Sequence, residues 1–332
     1  MLRPMSTLAL IGGLLVGSFV DANATPYTFQ TIDNAADATF NQLLGINNTG
    51  TIAGYFGSGA AGHPNQGYTV VPPYGQANYT NENFPGSMQT QVTGINNSGL
   101  TVGFWADINN NNFGFVNNSG TFTTVVNPNS GPINTPQVNQ LLAVNNHNVA
   151  AGFYIDDNGV TQGDTYDITN HSFTPLNIPG ATAVTAAGIN DAGEIVGFYT
   201  TVAGTTLGFL LNGNSLTSLQ DPNAPLSTML LGLNNTGLAD GVYTDASGLL
   251  HGFVYDIGAN TFTTVDDPNG VGGTTLNGLN DLGQLTGFFV DANGNTNGLL
   301  ANPSRVPEPA TLLLLGSGLA CLAGFARKRT RQ

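Results

Sequence analysis

The stretch from Gly45 to Phe56, GINNTGTIAGYF, is the first of six copies of one twelve-residue phrase. The other five copies begin at Gly94, Ala143, Gly188, Gly232 and Gly278. Consecutive starts therefore lie 44 to 49 residues apart, a period typical of propellers and other repeat architectures. Each phrase has the pattern of a β-hairpin, because an aliphatic strand and an aromatic strand flank an Asn-rich turn that ends in glycine.

Two glycine positions recur in the phrase. The turn glycine needs a positive φ, and the third copy replaces it with Asn148, the residue type that next best tolerates the left-handed region. A second glycine, Gly54 in the first copy, falls inside the second strand. We expect this second glycine to allow close packing between neighbouring repeats.

Two further strands follow most copies, such as Gly114-Phe115-Val116 and then Phe122-Thr123-Thr124-Val125 in the second. The sixth copy lacks its fourth strand, whereas residues 27–33 form an orphan strand near the N-terminus. We therefore predict an all-β fold over residues 25–304: a six-bladed β-propeller of four-stranded blades, with Phe29 closing the last blade beside the strand at Leu299. The alternatives are an open solenoid and an array of β-sandwiches. An open solenoid gives no reason to displace a strand.

Residues 1–24 have the composition of a secretory signal peptide. Arg3 supplies a positive start, Leu8 to Val20 is almost wholly apolar, and Ala22 and Ala24 form a small-x-small cleavage site. The alternative is an N-terminal anchor, but a membrane span needs roughly 20 apolar residues and this run is shorter. We expect cleavage before Thr25.

Residues 305–332 form a tail of three parts. Pro307, Glu308 and Pro309 precede the apolar run 310–326, and the cluster Arg327-Lys328-Arg329 follows that run. The run is just long enough for a transmembrane helix, and its basic end would stay on the cytoplasmic side. We therefore expect the repeat body to lie outside the cell.

This tail resembles the PEP-CTERM sorting signal of exopolysaccharide-producing Gram-negative bacteria. We expect export across the inner membrane and transient anchoring there through the C-terminal segment. The resemblance implies recognition by an exosortase, removal of the tail, and delivery to the cell surface or the extracellular matrix. The alternative is an ordinary C-terminal anchor without sorting. The repeat phrase also resembles the HAF-type repeats of bacterial exported proteins, as in His251-Gly252-Phe253-Val254, although this chain carries histidine in that slot only once. The second resemblance implies location and fold and transfers no catalytic residue.

The body between the two ends contains no lysine or arginine. All six cations lie outside residues 25–304, at Arg3, Arg305, Arg327, Lys328, Arg329 and Arg331. Of the 20 acidic residues only Asp21 and Glu308 lie outside that range, which leaves 18 in the body. Nucleic acids and anionic lipids are bound through Lys and Arg, so we expect neither as a partner of the body. Cys321, the single cysteine, lies in the tail, so the body holds no disulfide.

Carboxylates are the one abundant reactive side chain of the body. Five of them follow the aromatic end of the second strand and should share one rim of the ring: Asp107, Asp156, Asp157, Asp245 and Asp291. A polysaccharide hydrolase could draw its two carboxylates from this rim. Turn chemistry accounts equally for every one of them, and we favour that interpretation.

No other catalytic motif is present, and the four histidines occupy different slots of different repeats. We expect no cofactor apart from weak calcium. Oxygen donors alternate in two rim loops, at Asp107, Asn109 and Asn111 and at Asp291, Asn293 and Asn295, as they do in loops that bind this ion.

Three functions remain open on these grounds. The first is a non-catalytic surface or matrix module that binds a neutral glycan or a surface protein through amide and aromatic side chains. The second is an exported hydrolase that uses the rim carboxylates. The third is a purely structural ring in the extracellular matrix.

Overall fold

A computed structural model describes residues 27–131 and 136–304, which contain 24 β-strands, one short 3-10 helix and no α-helix. Blade 1 contains β2 (Asn41–Ile46), β3 (Ile52–Phe56), β4 (Gln66–Val70) and β5 (Tyr79–Asn81), with the 3-10 turn at Gln76–Asn78. Blade 2 contains β6 (Gln89–Ile95), β7 (Thr101–Ala106), β8 (Asn112–Asn118) and β9 (Thr121–Val125). Blade 3 contains β10 (Asn139–Val144), β11 (Val149–Ile155), β12 (Thr161–Asp167) and β13 (Ser172–Pro175).

Blade 4 contains β14 (Ala181–Ile189), β15 (Ile195–Thr201), β16 (Thr206–Asn212) and β17 (Ser215–Leu219). Blade 5 contains β18 (Ser227–Leu233), β19 (Leu238–Thr244), β20 (Leu250–Asp256) and β21 (Thr261–Thr264). Blade 6 contains β22 (Thr274–Leu279), β23 (Leu285–Val290), β24 (Thr296–Pro303) and β1 (Tyr27–Thr31). Strands within a blade pair antiparallel. Parallel bridges join neighbouring blades at Thr206 and Ser227, at Asn112 and Val138, and at Phe40 and Thr296.

A ring of six buried asparagines joins the blades around one axis. The side-chain amide of Asn47 donates to the backbone oxygen of Asn96 at 3.1 Å, and the series returns through Asn280, which donates to the oxygen of Asn47 at 3.0 Å. The bonds between these ends run from Asn96 to Asn145, Asn190, Asn234 and Asn280 in turn. Because the last bond returns to the first blade, the predicted closed propeller of four-stranded blades is the observed architecture.

The N-terminal strand completes the sixth blade as predicted. β1 pairs antiparallel with β24, placing Phe29 opposite Ala301 and Thr31 opposite Leu299. Tyr27 and Phe29 also pack against the buried cluster of that blade, which includes Leu299. The pairing covers a sheet edge that would otherwise be open.

The turn of each phrase has the backbone that the sequence predicts. Gly50 has a φ of 80°, and Asn148, which replaces glycine in blade 3, has a φ of 60°. The Oδ1 atom of Asn47 accepts hydrogen bonds from the backbone N–H groups of Thr49 and Thr51, which fixes the hairpin from inside. The first asparagine of each phrase therefore both shapes its own turn and binds the next blade.

The prediction for the second glycine was wrong. A β-bulge interrupts the first strand of every blade, between Leu43 and Gly45 in blade 1. The bulge brings the carbonyl oxygen of Gln42 over Gly54, where an added Cβ would lie 2.3 Å from it. The close contact at Gly54 thus lies within one blade. Neighbouring blades meet instead at the first glycine, where a Cβ on Gly45 would lie 3.2 Å from the Cα of Gly94.

Several predictions fall outside the described residues: the signal peptide at 1–24, the sorting tail at 305–332 and the apolar run at 310–326. Among residues 27–131 and 136–304, no helix is long and apolar enough to cross a membrane.

Candidate functional site

A cavity of about 490 Å³ opens on the propeller axis. It lies at the face where the first strand of each blade begins and the second ends. Residues at two levels of the first strands line it. The upper level consists of Gln42, Gln91, Gln140, Thr185, Met229 and Thr275. The lower level, two residues further along each strand, consists of Leu44, Thr93, Leu142, Ala187, Leu231 and Asn277, and we call it the floor.

Four phenylalanines surround the mouth of this cavity: Phe104, Phe153, Phe198 and Phe288. Each is the first aromatic of its phrase and is partly exposed. Successive side chains of a strand point to opposite faces, so the second aromatic packs away from the axis. Trp105, for example, stacks on Phe84 with the ring centroids 4.5 Å apart. The paired aromatics of the phrase thus separate into a set that lines the cavity and a set that packs the blades.

The three glutamines of the upper level lie on blades 1 to 3. Tyr55 donates to Gln42 Oε1 at 2.7 Å, and Gln91 donates its amide to Asn65 Oδ1 at 2.9 Å. The Oε1 atom of Gln91 has no hydrogen-bond partner within the described residues. Met229 and Val242 of blade 5 line the opposite side. The cavity therefore offers amide groups from blades 1, 2, 3 and 6 and apolar contacts from blade 5.

No ionisable side chain lines this cavity among the residues that the structure describes, although the body has 18 carboxylates. An ionic ligand would find no counter-charge in this cavity and would lose its hydration there. The arrangement suits a neutral ligand with both hydroxyl groups and apolar faces.

The opposite end of the axis is closed by hydrogen bonds. Six side chains form a second ring there: Asn48, Asn97, Asn146, Asp191, Asn235 and Asp281. Each accepts a hydrogen bond from the backbone N–H of the equivalent residue in the preceding blade. Asn235 also donates to the Oδ2 atoms of Asp191 and Asp281, at 3.0 and 3.1 Å. The Asp and Asn side chains of this end therefore hold the blades together.

The rim carboxylates predicted from the sequence lie on loops that join the second and third strands. Asp107 Oδ1 accepts from the backbone N–H groups of Asn109 and Asn111, and Asn111 Nδ2 donates to Asp107 Oδ2 at 2.8 Å. These bonds, above all the one from the Asn111 side chain, lower the pKa of Asp107. Asp156, Asp245 and Asp291 hold their loops in the same way, whereas Asp157 is exposed.

Calcium binding at Asp107, Asn109 and Asn111 and at Asp291, Asn293 and Asn295 stays a prediction. A bound ion would have to compete with the loop's own N–H groups for the carboxylate oxygens. Within the described part of the chain, no three His, Cys, Asp or Glu side chains are placed to hold a metal ion together.

Sequence reasoning missed the axial cavity. A signal was available, because a glutamine precedes three of the six phrases at the same distance, at Gln42, Gln91 and Gln140. It also missed Asp240, which is fully buried and whose pKa burial raises to about 8. A break in the repeat was visible there, since other blades carry small or β-branched residues at this position of the phrase.

Residues 305–329 match a family model described as the PEP-CTERM protein-sorting motif. The chain carries a PEP-CTERM sorting motif. This finding supports the predicted export and sorting by an exosortase, with transient anchoring before processing. Its key residues, Pro307, Glu308, Pro309 and the cluster Arg327-Lys328-Arg329, lie outside the described structure. No curated protein matches the chain, and the resemblance to HAF-type repeats stays a prediction.

Three solved structures are similar to the chain at low identity. A mutant of Aleuria aurantia lectin, in complex with Fucalpha1-6GlcNAc, is 13% identical with a TM-score of 0.45, over 82% of this chain and 98% of the lectin. TolB from Acinetobacter baumannii is 8% identical with a TM-score of 0.48, over 80% of this chain and 64% of TolB. AofleA from Arthrobotrys oligospora is 11% identical with a TM-score of 0.47, over 84% of this chain and 83% of AofleA. At such identities the ligands of those proteins are properties of those proteins alone.

Proposed function

We propose that the protein is a non-catalytic binding module of the cell surface or extracellular matrix, sorted by an exosortase, and that its axial cavity binds a neutral glycan. The observation that carries the binding proposal is a cavity ringed by phenylalanines and amides without one ionisable group among the described residues. Aromatic faces pack against the C–H faces of sugar rings, while amides bind their hydroxyl groups.

A hydrolytic function has less support from the rim loops. A glycosidase needs one carboxylic acid with a raised pKa to protonate the leaving group. The hydrogen bonds of Ser247 and the loop amides lower the pKa of Asp245 to about 2, and similar bonds lower the pKa values of Asp107, Asp156 and Asp291. Ionised turn residues explain this pattern, so we favour binding without catalysis.

Glycan binding should depend on the phenylalanines at the mouth. We expect Phe198→Ala to weaken binding at least about fivefold, because an aromatic contact contributes roughly 1 kcal/mol beyond its area. Affinity is measured with the full chain on an array of neutral oligosaccharides. Phe198→Tyr, which keeps the ring, serves as the control and should bind nearly as the parent does. Equal binding by all three proteins would argue against the cavity as the site.

Sorting should leave a mass signature. We expect protein extracted from the surface of the producing cell to lack the residues beyond Pro309, because the tail is removed on processing. A Glu308→Ala variant, altered in the motif itself, should keep the mass of its tail and remain in the inner membrane. Intact mass spectrometry distinguishes the two. Surface protein that retains the basic cluster would contradict processing.

A further inference from the structure

One floor residue of the axial cavity breaks the pattern of its level. Asn277 in β22 occupies the position that other blades fill with Leu44, Thr93, Leu142, Ala187 and Leu231. The hydroxyl of Thr93 is occupied, since it donates to the backbone oxygen of Leu141 at 2.7 Å. The amide of Asn277 makes no hydrogen bond within the described residues. It stands between the leucines of blades 5 and 1, in contact with the cavity.

Asn277 is only partly buried and faces the open cavity, so a ligand that fills the floor must replace the hydrogen bonds that its amide makes to water or lose affinity. Three leucines on the same floor show that an apolar residue is compatible with this level of the ring. The amide therefore points to a ligand whose polar group reaches the bottom of the cavity.

The axis narrows directly below the floor. The first glycines of the phrases bring neighbouring backbones together, and a Cβ on Gly94 would lie 2.9 Å from the Cα of Ala143. The free volume at this glycine level is about 70 Å³, compared with about 490 Å³ in the cavity above it. Waters fit such a space, but a sugar ring that must continue into a chain does not.

From this geometry we propose that the cavity binds the end of a neutral glycan chain, and that Asn277 recognises a hydroxyl group of the terminal residue. This inference rests on the proposed glycan-binding function. The terminal ring enters between the phenylalanines of the mouth, and its far edge reaches Asn277 at the floor. The interior of a chain is excluded, because the chain would have to leave through the glycine level.

The test compares short and long chains of one composition. Full-length protein is titrated with three pairs of neutral glycans: maltotriose and amylose, laminaritriose and laminarin, and mannotriose and linear mannan. If the protein binds chain ends, the long glycan of a pair that binds should be less potent per unit mass than its trisaccharide, in proportion to the greater chain length. Equal potency per unit mass overturns end recognition while leaving glycan binding intact. No binding to any pair or to the neutral array overturns both proposals.

A variant tests the role of Asn277 separately. Asn277→Leu restores the residue of blades 1 and 5 and should fold, while losing about tenfold in affinity for the trisaccharide, as expected for one hydrogen bond. Asn118→Leu, on the exposed β8–β9 hairpin of the opposite face, is the matched control and should bind as the parent does. Unchanged affinity in a folded Asn277→Leu protein would overturn the assignment.

Discussion

Asp240→Asn should stabilise the protein increasingly as the pH rises from about 4 to about 8. Asp240 lies in β19 with no exposed surface, at a position where blades 2 and 4 carry Val102 and Val196. Its oxygens make no hydrogen bond of good geometry within the described residues, although the backbone of Gly232 and Gly278 lies close enough to offset part of the burial. Burial raises the pKa of Asp240 to about 8, from 3.8 for the unfolded chain.

The direction of this pH effect on stability follows from proton binding. Between these two pKa values the unfolded chain releases the proton of Asp240 while the folded protein keeps it, so the folded state loses stability relative to the unfolded state as the pH rises. Each unit of pKa difference corresponds to about 1.4 kcal/mol, so the loss reaches about 5 kcal/mol by pH 8. Below the unfolded pKa both states are protonated and the effect is absent.

Urea unfolding of the parent and Asp240→Asn at pH 4, 6 and 8 measures this difference. The two proteins should be close in stability at pH 4 and well separated at pH 8. Asp245→Asn in the same blade is the control with the opposite sign, because hydrogen bonds from Ser247 and the loop amides lower its pKa to about 2. Asp245→Asn should therefore be less stable than the parent, and the difference should be largest at neutral pH. A difference between Asp240→Asn and the parent that does not grow with pH would contradict the burial argument.

Loss of one asparagine from the buried ring should also destabilise the folded protein. Asn96→Ala removes an acceptor for the N–H groups of Ser98 and Leu100 and the donor to Asn145 of the next blade. Leu100 and Asn145 are buried, and each polar group left buried without a partner costs about 1–3 kcal/mol, so we expect a loss of about 3 kcal/mol in the free energy of unfolding.

Chemical denaturation of the full chain tests this expectation. Asn97→Ala, the next residue along, is the matched control. Asn97 is exposed, and its side chain accepts a single hydrogen bond, from the N–H of Asn48. Its loss should cost no more than about 1 kcal/mol. Equal effects of the two substitutions would show that an asparagine of the buried ring contributes no more than one inter-blade bond of the exposed second ring.

The repeat phrase predicted the strands, the turns and the closing strand because each has a local signature. The positive φ at Gly50 and Asn148 is a requirement of the turn itself, and the orphan strand at 27–33 completes a pattern that the sixth repeat leaves open. Neither depends on knowing what lies across the axis. Local chemistry was therefore sufficient for the fold.

The axial cavity could not be predicted in the same way. The bulge in the first strand changes which side chains face the axis, so that Gln91 and Thr93 line the cavity while Val92 between them packs in the core. Strict alternation of side chains counted back from Ile95 ignores the bulge, and so it assigns the wrong residues to the axis. The burial of Asp240 depends likewise on the approach of Gly232 and Gly278, which only the assembled ring brings together.

The pairing of β1 with β24 also governs when the protein can fold. During export Tyr27 emerges long before its partner Pro303. The contact spans nearly the whole chain, and such long-range pairing makes folding slow. The ring cannot be completed until translocation of the body is finished, so a chain halted midway remains an unclosed arc with bare strand edges. We therefore expect stalled export intermediates to depend on periplasmic chaperones, whereas the released protein does not.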